Sequence, residues 1–93
     1  MRLTGDEQRV ISESIEFHDA DAEVYLFGSR VDDAARGGDI DLLVISKKID
    51  LMAKLDILAD LHERFGARKI DLVVFPDLSR PFARIAVNQG LRL

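Results

Sequence analysis

Gly37-Gly38-Asp39-Ile40-Asp41-Leu42-Leu43-Val44-Ile45 is the stretch whose reading decides the rest of the chain. The glycine pair marks a turn. Ile40 to Ile45 is then a nearly continuous apolar run, as in a strand covered on both faces. Side chains two apart on a strand point to the same face. Asp39 and Asp41 therefore face one way, and Ile40 faces the core. Two carboxylates held about 5–7 Å apart on a strand repel each other unless a cation sits between them. Magnesium meets that need, because it takes oxygen ligands in an octahedral shell and shares them with substrate phosphates.

Outward from this strand, the elements fall into a simple order. Upstream, Thr4-Gly5-Asp6-Glu7 reads as a capping box for a helix running to about His18. Val10, Ile11, Ser14, Ile15, Phe17 and His18 supply its buried stripe. Asp19 to Ala22 is a polar break, and Glu23-Val24-Tyr25-Leu26-Phe27 is a short β-type run ending at Gly28. Residues 28–38 hold three of the six glycines and four charges. They predict a turn, a short helical piece around Val31–Ala35 and the Gly37-Gly38 turn. Downstream, Asp50 caps a helix running to about Phe65, with Gly66 at its C-terminus. Leu51, Leu55, Leu58, Ala59, His62 and Phe65 are assigned to its inner face. Lys69 to Phe75 is a third strand, stopped by Pro76. Ser79 to Gln89 is a last helix with Pro81 in its first turn and Gly90 after its end. Leu91-Arg92-Leu93 adds a short extended piece.

The fold class is therefore α/β (α+β), order α-β-β-α-β-α. A mixed sheet of three to four strands has its helices packed on one face, leaving the other open as a site. The 93 residues form one domain, 1–93, at the small end of what buries its own core. A hydrophobic share of 47% and a charged share of 32% are those of a soluble globular protein. No apolar run is long enough to cross a bilayer, and residues 1–7 have no signal-peptide character. With no cysteine, disulfides and thiolate metal sites are excluded, and a cytoplasmic location is expected. The net charge of −4 argues against strong nucleic-acid binding, which needs a basic surface. Lys47-Lys48 and Arg68-Lys69 read as ordinary solvated pairs.

The third acid is Asp71, which interrupts the apolar strand Ile70 to Phe75, where a lone charge is costly. If the second and third strands are neighbours, Asp71 joins Asp39 and Asp41. Three carboxylates fit a two-metal phosphoryl-transfer site, in which Asp39 and Asp41 bridge two magnesium ions. Asp71 completes the ion on the nucleophile side and accepts the proton. Gly28 and Ser29 complete the site. A glycine directly after a strand lets the backbone approach phosphate, and the serine hydroxyl can donate to a phosphate oxygen. Arg30 and Arg36 are candidates to neutralise the triphosphate. Taken singly, these features are weak. Most isolated Asp-x-Asp pairs are turn or surface acids, and Asp71 alone would pass as an edge-strand acid. Their joint order and placement point to a site. His18 and His62 read as core or boundary histidines, Tyr25 as packing, and Asp32 and Asp33 as loop acids.

Leu26-Phe27-Gly28-Ser29-Arg30 followed by Gly37-Gly38-Asp39-Ile40-Asp41-Leu42-Leu43-Val44 resembles the signature of the DNA polymerase β-like nucleotidyltransferase superfamily. More narrowly, it resembles the minimal nucleotidyltransferases (MNT proteins). Lys69 to Val74 is similar to the strand carrying that family's third acid, and Ile85 to Leu91 to the usual end of these short chains. The resemblance implies ATP as co-substrate, magnesium on Asp39, Asp41 and Asp71, and triphosphate binding at Gly28 and Ser29. It also implies a helical HEPN partner, with this chain as the antitoxin that transfers AMP to an RNase toxin and silences it. A hetero-oligomer is then expected, with a homodimer as the alternative. The short length points the same way, since no residues remain for a second substrate domain. The other readings are a binding-only antitoxin that blocks its partner sterically, and nucleotidyl transfer to a small molecule.

Overall fold

The computed structural model describes residues 4–26, 40–66 and 68–93. These form α1 (Gly5–Glu16), β1 (Glu23–Leu26), β2 (Ile40–Ile45), α2 (Leu51–Phe65), β3 (Ile70–Phe75), α3 (Pro81–Gln89) and β4 (Leu91–Arg92). The expected turn and helical piece between the first two strands, and Phe27, lie outside the described residues.

The sheet order is β3-β2-β1-β4. β1 runs antiparallel to β2 and to β4, while β2 and β3 are parallel. A parallel pair needs a crossover, and α2 provides it. The mixed four-stranded sheet and the element order agree with the sequence expectation, and the closing extended piece is β4.

The local signals act as read. The Thr4 hydroxyl accepts from the Glu7 amide at 3.0 Å, and the Glu7 carboxylate accepts from the Thr4 amide at 2.8 Å. Together they satisfy two of the amides that a helix start leaves without partners. Asp50 caps α2 by accepting from the Ala53 amide at 2.9 Å. Gly66 ends α2 at φ 76°, a conformation that costs glycine little. Pro81 opens α3.

The main core lies between one sheet face and the layer of α1 and α2. Ile11 and Ile15 of α1, and Ile57 and Leu61 of α2, join Val24, Leu26, Ile40, Leu42, Val44, Ile70 and Leu72. The opposite sheet face carries a smaller cluster of Tyr25, Leu43 and Ala86, with Ile45, Phe75 and Val87 packed against it. The expectation of helices on one face therefore holds for α1 and α2. α3 departs from it and covers part of the other face.

Three side-chain assignments are corrected. Phe17 is 86% exposed, because α1 ends at Glu16 and the chain turns away. His62 is exposed, whereas His18 is half-buried as expected of a boundary residue. On α2 the fully buried residues are Ile57 and Leu61, while Leu51 and Leu55 are 67% and 50% exposed. α2 carries apolar residues around most of its circumference, so two stripes compete. Packing against α1 selects the stripe through Ile57 and Leu61, with Ala53, Leu58 and Phe65 at its margin.

Two tertiary ties fix the ends of the elements. The Ser46 hydroxyl donates to Asp19 at 2.5 Å and accepts from the amides of Lys48 and Ile49, both at 3.1 Å. Asp19 also accepts from the Asp21 amide at 2.9 Å. This clasp joins the loop before β1 to the loop after β2. The Arg68 guanidinium pairs with Glu7 at 3.1 Å and lies over the Phe65 ring, tying the approach to β3 to the start of α1.

These contacts carry two measurable consequences. Leu61→Ala or Ile57→Ala should lower stability by about 2–5 kcal/mol in urea unfolding, and Leu55→Ala by less than about 0.5 kcal/mol. The hydrogen bond from Ser46, followed by that from the Asp21 amide, holds the Asp19 carboxyl below its ordinary value of 3.8. A carboxyl depressed on folding stabilises above its unfolded value and loses that contribution as pH falls through its folded value. Melting temperature should therefore fall less steeply with acid in Asp19→Asn than in the wild type, between about pH 5 and about pH 2.

Candidate functional site

Asp41 and Asp71 occupy the second positions of β2 and β3. Each is flanked by two core anchors. Ile40 and Leu42 are fully buried on either side of Asp41, and Ile70 and Leu72 are 7% and 5% exposed on either side of Asp71. Because alternate strand residues face opposite ways, burying these anchors turns both carboxylates to the other sheet face. Reversing either strand would bury an acid in the main core and expose two large aliphatic side chains.

The parallel register then brings the acids together. Ile40 pairs with Ile70, Asp41 with Asp71 and Leu42 with Leu72. Neighbouring strands lie about 4.8 Å apart, so the two carboxylates stand side by side on one face. Asp41 is half-buried and Asp71 exposed. Farther along the same face, Leu43 pairs with Val73 and Ile45 with Phe75. That apolar half is where α3 packs. The face is thus divided between an acidic end at the start of β2 and β3 and an apolar end under α3.

Two adjacent carboxylates suit a hard cation with oxygen ligands, and among the described residues no softer donor accompanies them in register. Among the described residues no group of three or more His, Cys, Asp or Glu could hold a metal ion. Asp41 and Asp71 are two of the three acids that the sequence reading named. Asp39, the third, lies outside the described residues, as do Gly28, Ser29, Arg30 and Arg36. The neighbourhood of strands two and three, on which the sequence reading of Asp71 depended, is present.

Tyr25 sits on the same sheet face, opposite Leu43. It is 7% exposed, and its hydroxyl donates to Glu23 at 2.7 Å. Burial, then the hydrogen bond to Glu23, raises its pKa. It is a packing residue, as the sequence suggested. A separate groove of about 410 Å³ runs between α1 and α2, lined by Glu13, Ser14, Phe17, Asp56, Asp60 and Arg64 among others. It belongs to the helical layer on the far side of the sheet from the carboxylates. Sequence reading missed the cover that α3 gives to the site face. The available signal was the spacing of Ala83, Ala86 and Val87, which supplies α3 with an inner face of small residues.

A family model described as Polymerase beta, Nucleotidyltransferase matches residues 10–93. No curated protein matches the chain. Among solved structures, the chain is similar to one in a mutant crystal structure of the toxin–antitoxin MntA-HpeT. The TM-score is 0.67 at 24% identity, and the match covers 92% of this chain and 69% of that one. At that identity the likeness is one of fold.

The paired carboxylates carry a direct expectation. Magnesium should raise the melting temperature of the wild type, reaching about 2.7 kcal/mol of added stability at a hundredfold excess over its Kd. Asp41→Asn and Asp71→Asn should each lose most of that gain in a thermal-shift titration.

Proposed function

The chain belongs to the polymerase β nucleotidyltransferase family, and from that premise we propose a magnesium-dependent enzyme that transfers AMP from ATP to a protein. The acceptor in this reading is a helical HEPN-type toxin, which the transfer neutralises. The observation that carries it is the in-register pair Asp41 and Asp71 on one sheet face. The fold likeness to a chain of a toxin–antitoxin structure supports the antitoxin role.

The roles proposed for the individual residues are assigned from their charges and the sequence motif, supported for Asp41 and Asp71 by their register. Asp41, with Asp39 before it, would hold magnesium, and Asp71 would stand on the side on which the acceptor enters. Magnesium, when bound there, supplies Lewis-acid polarisation of the acceptor hydroxyl and charge neutralisation of the triphosphate. Gly28 and Ser29 hold the triphosphate, and Arg30 and Arg36 offset its charge. The acceptor oxygen forms a bond to the α-phosphorus of ATP as the bond to the bridging oxygen breaks. Pyrophosphate leaves, and the hydroxyl proton passes to Asp71. The exposure of Asp71 and the half-burial of Asp41 match these roles. The outer acid meets the incoming acceptor, and the inner one stays with the metal.

The test is to search the reading frames beside this one for a HEPN-type protein and to measure its intact mass after incubation with the chain, ATP and magnesium. The expected result is a gain of one or more AMP units. Asp41→Ala should slow the gain by about a hundredfold or more without loss of fold. A toxin that is fully neutralised without any gain in mass would sink the enzymatic reading and leave a binding-only antitoxin.

A further inference from the structure

We infer that Lys69 is a further binding residue of the carboxylate site, and that its ammonium holds a phosphate oxygen of the nucleotide. This rests on the proposed nucleotide transfer and adds to it a cation that reads, in sequence, as half of a solvated pair.

The backbone and its neighbours fix the direction of Lys69. Its carbonyl accepts from the Ile40 amide at 2.8 Å, so the ladder between β2 and β3 already includes it. Side chains then alternate along Arg68, Lys69, Ile70 and Asp71. Arg68 pairs with Glu7 of α1 and lies over the Phe65 ring of α2, on the side of the helical layer. Ile70 enters the main core on that same side. Lys69 therefore stands on the opposite face with Asp71, and it is exposed there. The two basic neighbours face opposite ways: one ties the helices down, and the other joins the acids.

Reach is not an obstacle. Residues two apart on a strand lie about 6.6 Å from each other along it. Asp41, in register with Asp71, is one strand further across. The flexible four-carbon stem of a lysine covers such distances, and its ammonium turns three donors toward whatever oxygen is present.

The charges on this face give the ammonium its occupant. Arg9, Arg64, Arg68 and Arg92 each pair with a carboxylate, whereas among the described residues none pairs with Lys69. Asp41 and Asp71 supply two negative charges, and the phosphates of a nucleotide add more. Magnesium offsets part of that charge. A lysine beside the acids offsets more of it as a mobile point charge, a form in which proteins bind phosphate. Lys47 and Lys48 have no such place. They follow β2, at the far end of the strand from Asp41.

Calorimetry of the full chain with two probes, magnesium tripolyphosphate and magnesium ATP, tests this without any acceptor. Lys69→Ala should weaken both by about fivefold or more at low salt, and by less at high salt. Lys69→Arg should keep both within about twofold of the wild type, because the charge remains. Lys48→Ala should change neither. Unchanged affinity for both probes in Lys69→Ala would overturn the inference, as would an equal loss in Lys48→Ala. A loss for ATP without one for tripolyphosphate would put the contact on the nucleoside and overturn it too. Tighter binding of magnesium alone in Lys69→Ala, with tripolyphosphate affinity unaltered, would mean that the lysine only offsets the carboxylates, and the inference falls. Should the wild type bind magnesium ATP and transfer nothing, and Lys69→Ala still weaken that binding, the phosphate contact stands and only the enzymatic reading falls.

Discussion

The parallel pairing of β2 with β3 is the constraint on which the rest of the molecule turns. Its register sets Ile40 against Ile70 and Leu42 against Leu72, so four aliphatic side chains enter one core as a block. Strand alternation then leaves no choice for the residues between them. Asp41 and Asp71 must share the opposite face. The force that places the carboxylates is thus burial of their apolar neighbours. It holds two like charges side by side, an arrangement that a divalent cation stabilises.

The same alternation divides labour across the sheet. One face is given wholly to stability, with α1 and α2 covering the main core. The other is shared. Its apolar half, at Leu43, Ile45 and Phe75, packs under α3, and its acidic half lies beyond that helix. α3 is thereby both part of a core and part of the outer surface. Its inner alanines permit close approach to the sheet, Phe82 meets Phe75 from the helix flank, and Ile85 is left exposed on the outer side. The tie of Asp19 with Ser46 fixes loops at the end of β2 away from the carboxylates, and the tie of Arg68 with Glu7 holds the chain just before Asp71 to the start of α1.

Much of this was legible residue by residue. The capping box at Thr4, the cap at Asp50, the glycine at 66 and the proline at 81 each act through contacts a few residues long, so sequence specifies them directly. β2 was bounded at Ile40 and Ile45 because its run is apolar on both faces. The buried face of α2 was misread for the opposite reason. Leu51, Leu55 and Ala59 form one plausible stripe, and Ile57 and Leu61 another. Periodicity has no means of ranking two apolar stripes on one helix. Phe17 was misplaced because hydrophobicity alone cannot show that the helix ends one residue before it.

The sequence by itself determined which residues could carry chemistry and which face of each strand they occupy. Asp41 and Asp71 each interrupt an apolar strand, and alternation is a local property of the backbone. Only the tertiary structure decided that the two acids meet. That depends on β2 and β3 being neighbours with Asp41 in register with Asp71, thirty residues along the chain, and on α2 carrying the crossover. It also decided that α3 sits on the carboxylate face and not with the other helices. Register and layer are set by how aliphatic side chains from distant segments fill one core, and no window of sequence contains that information.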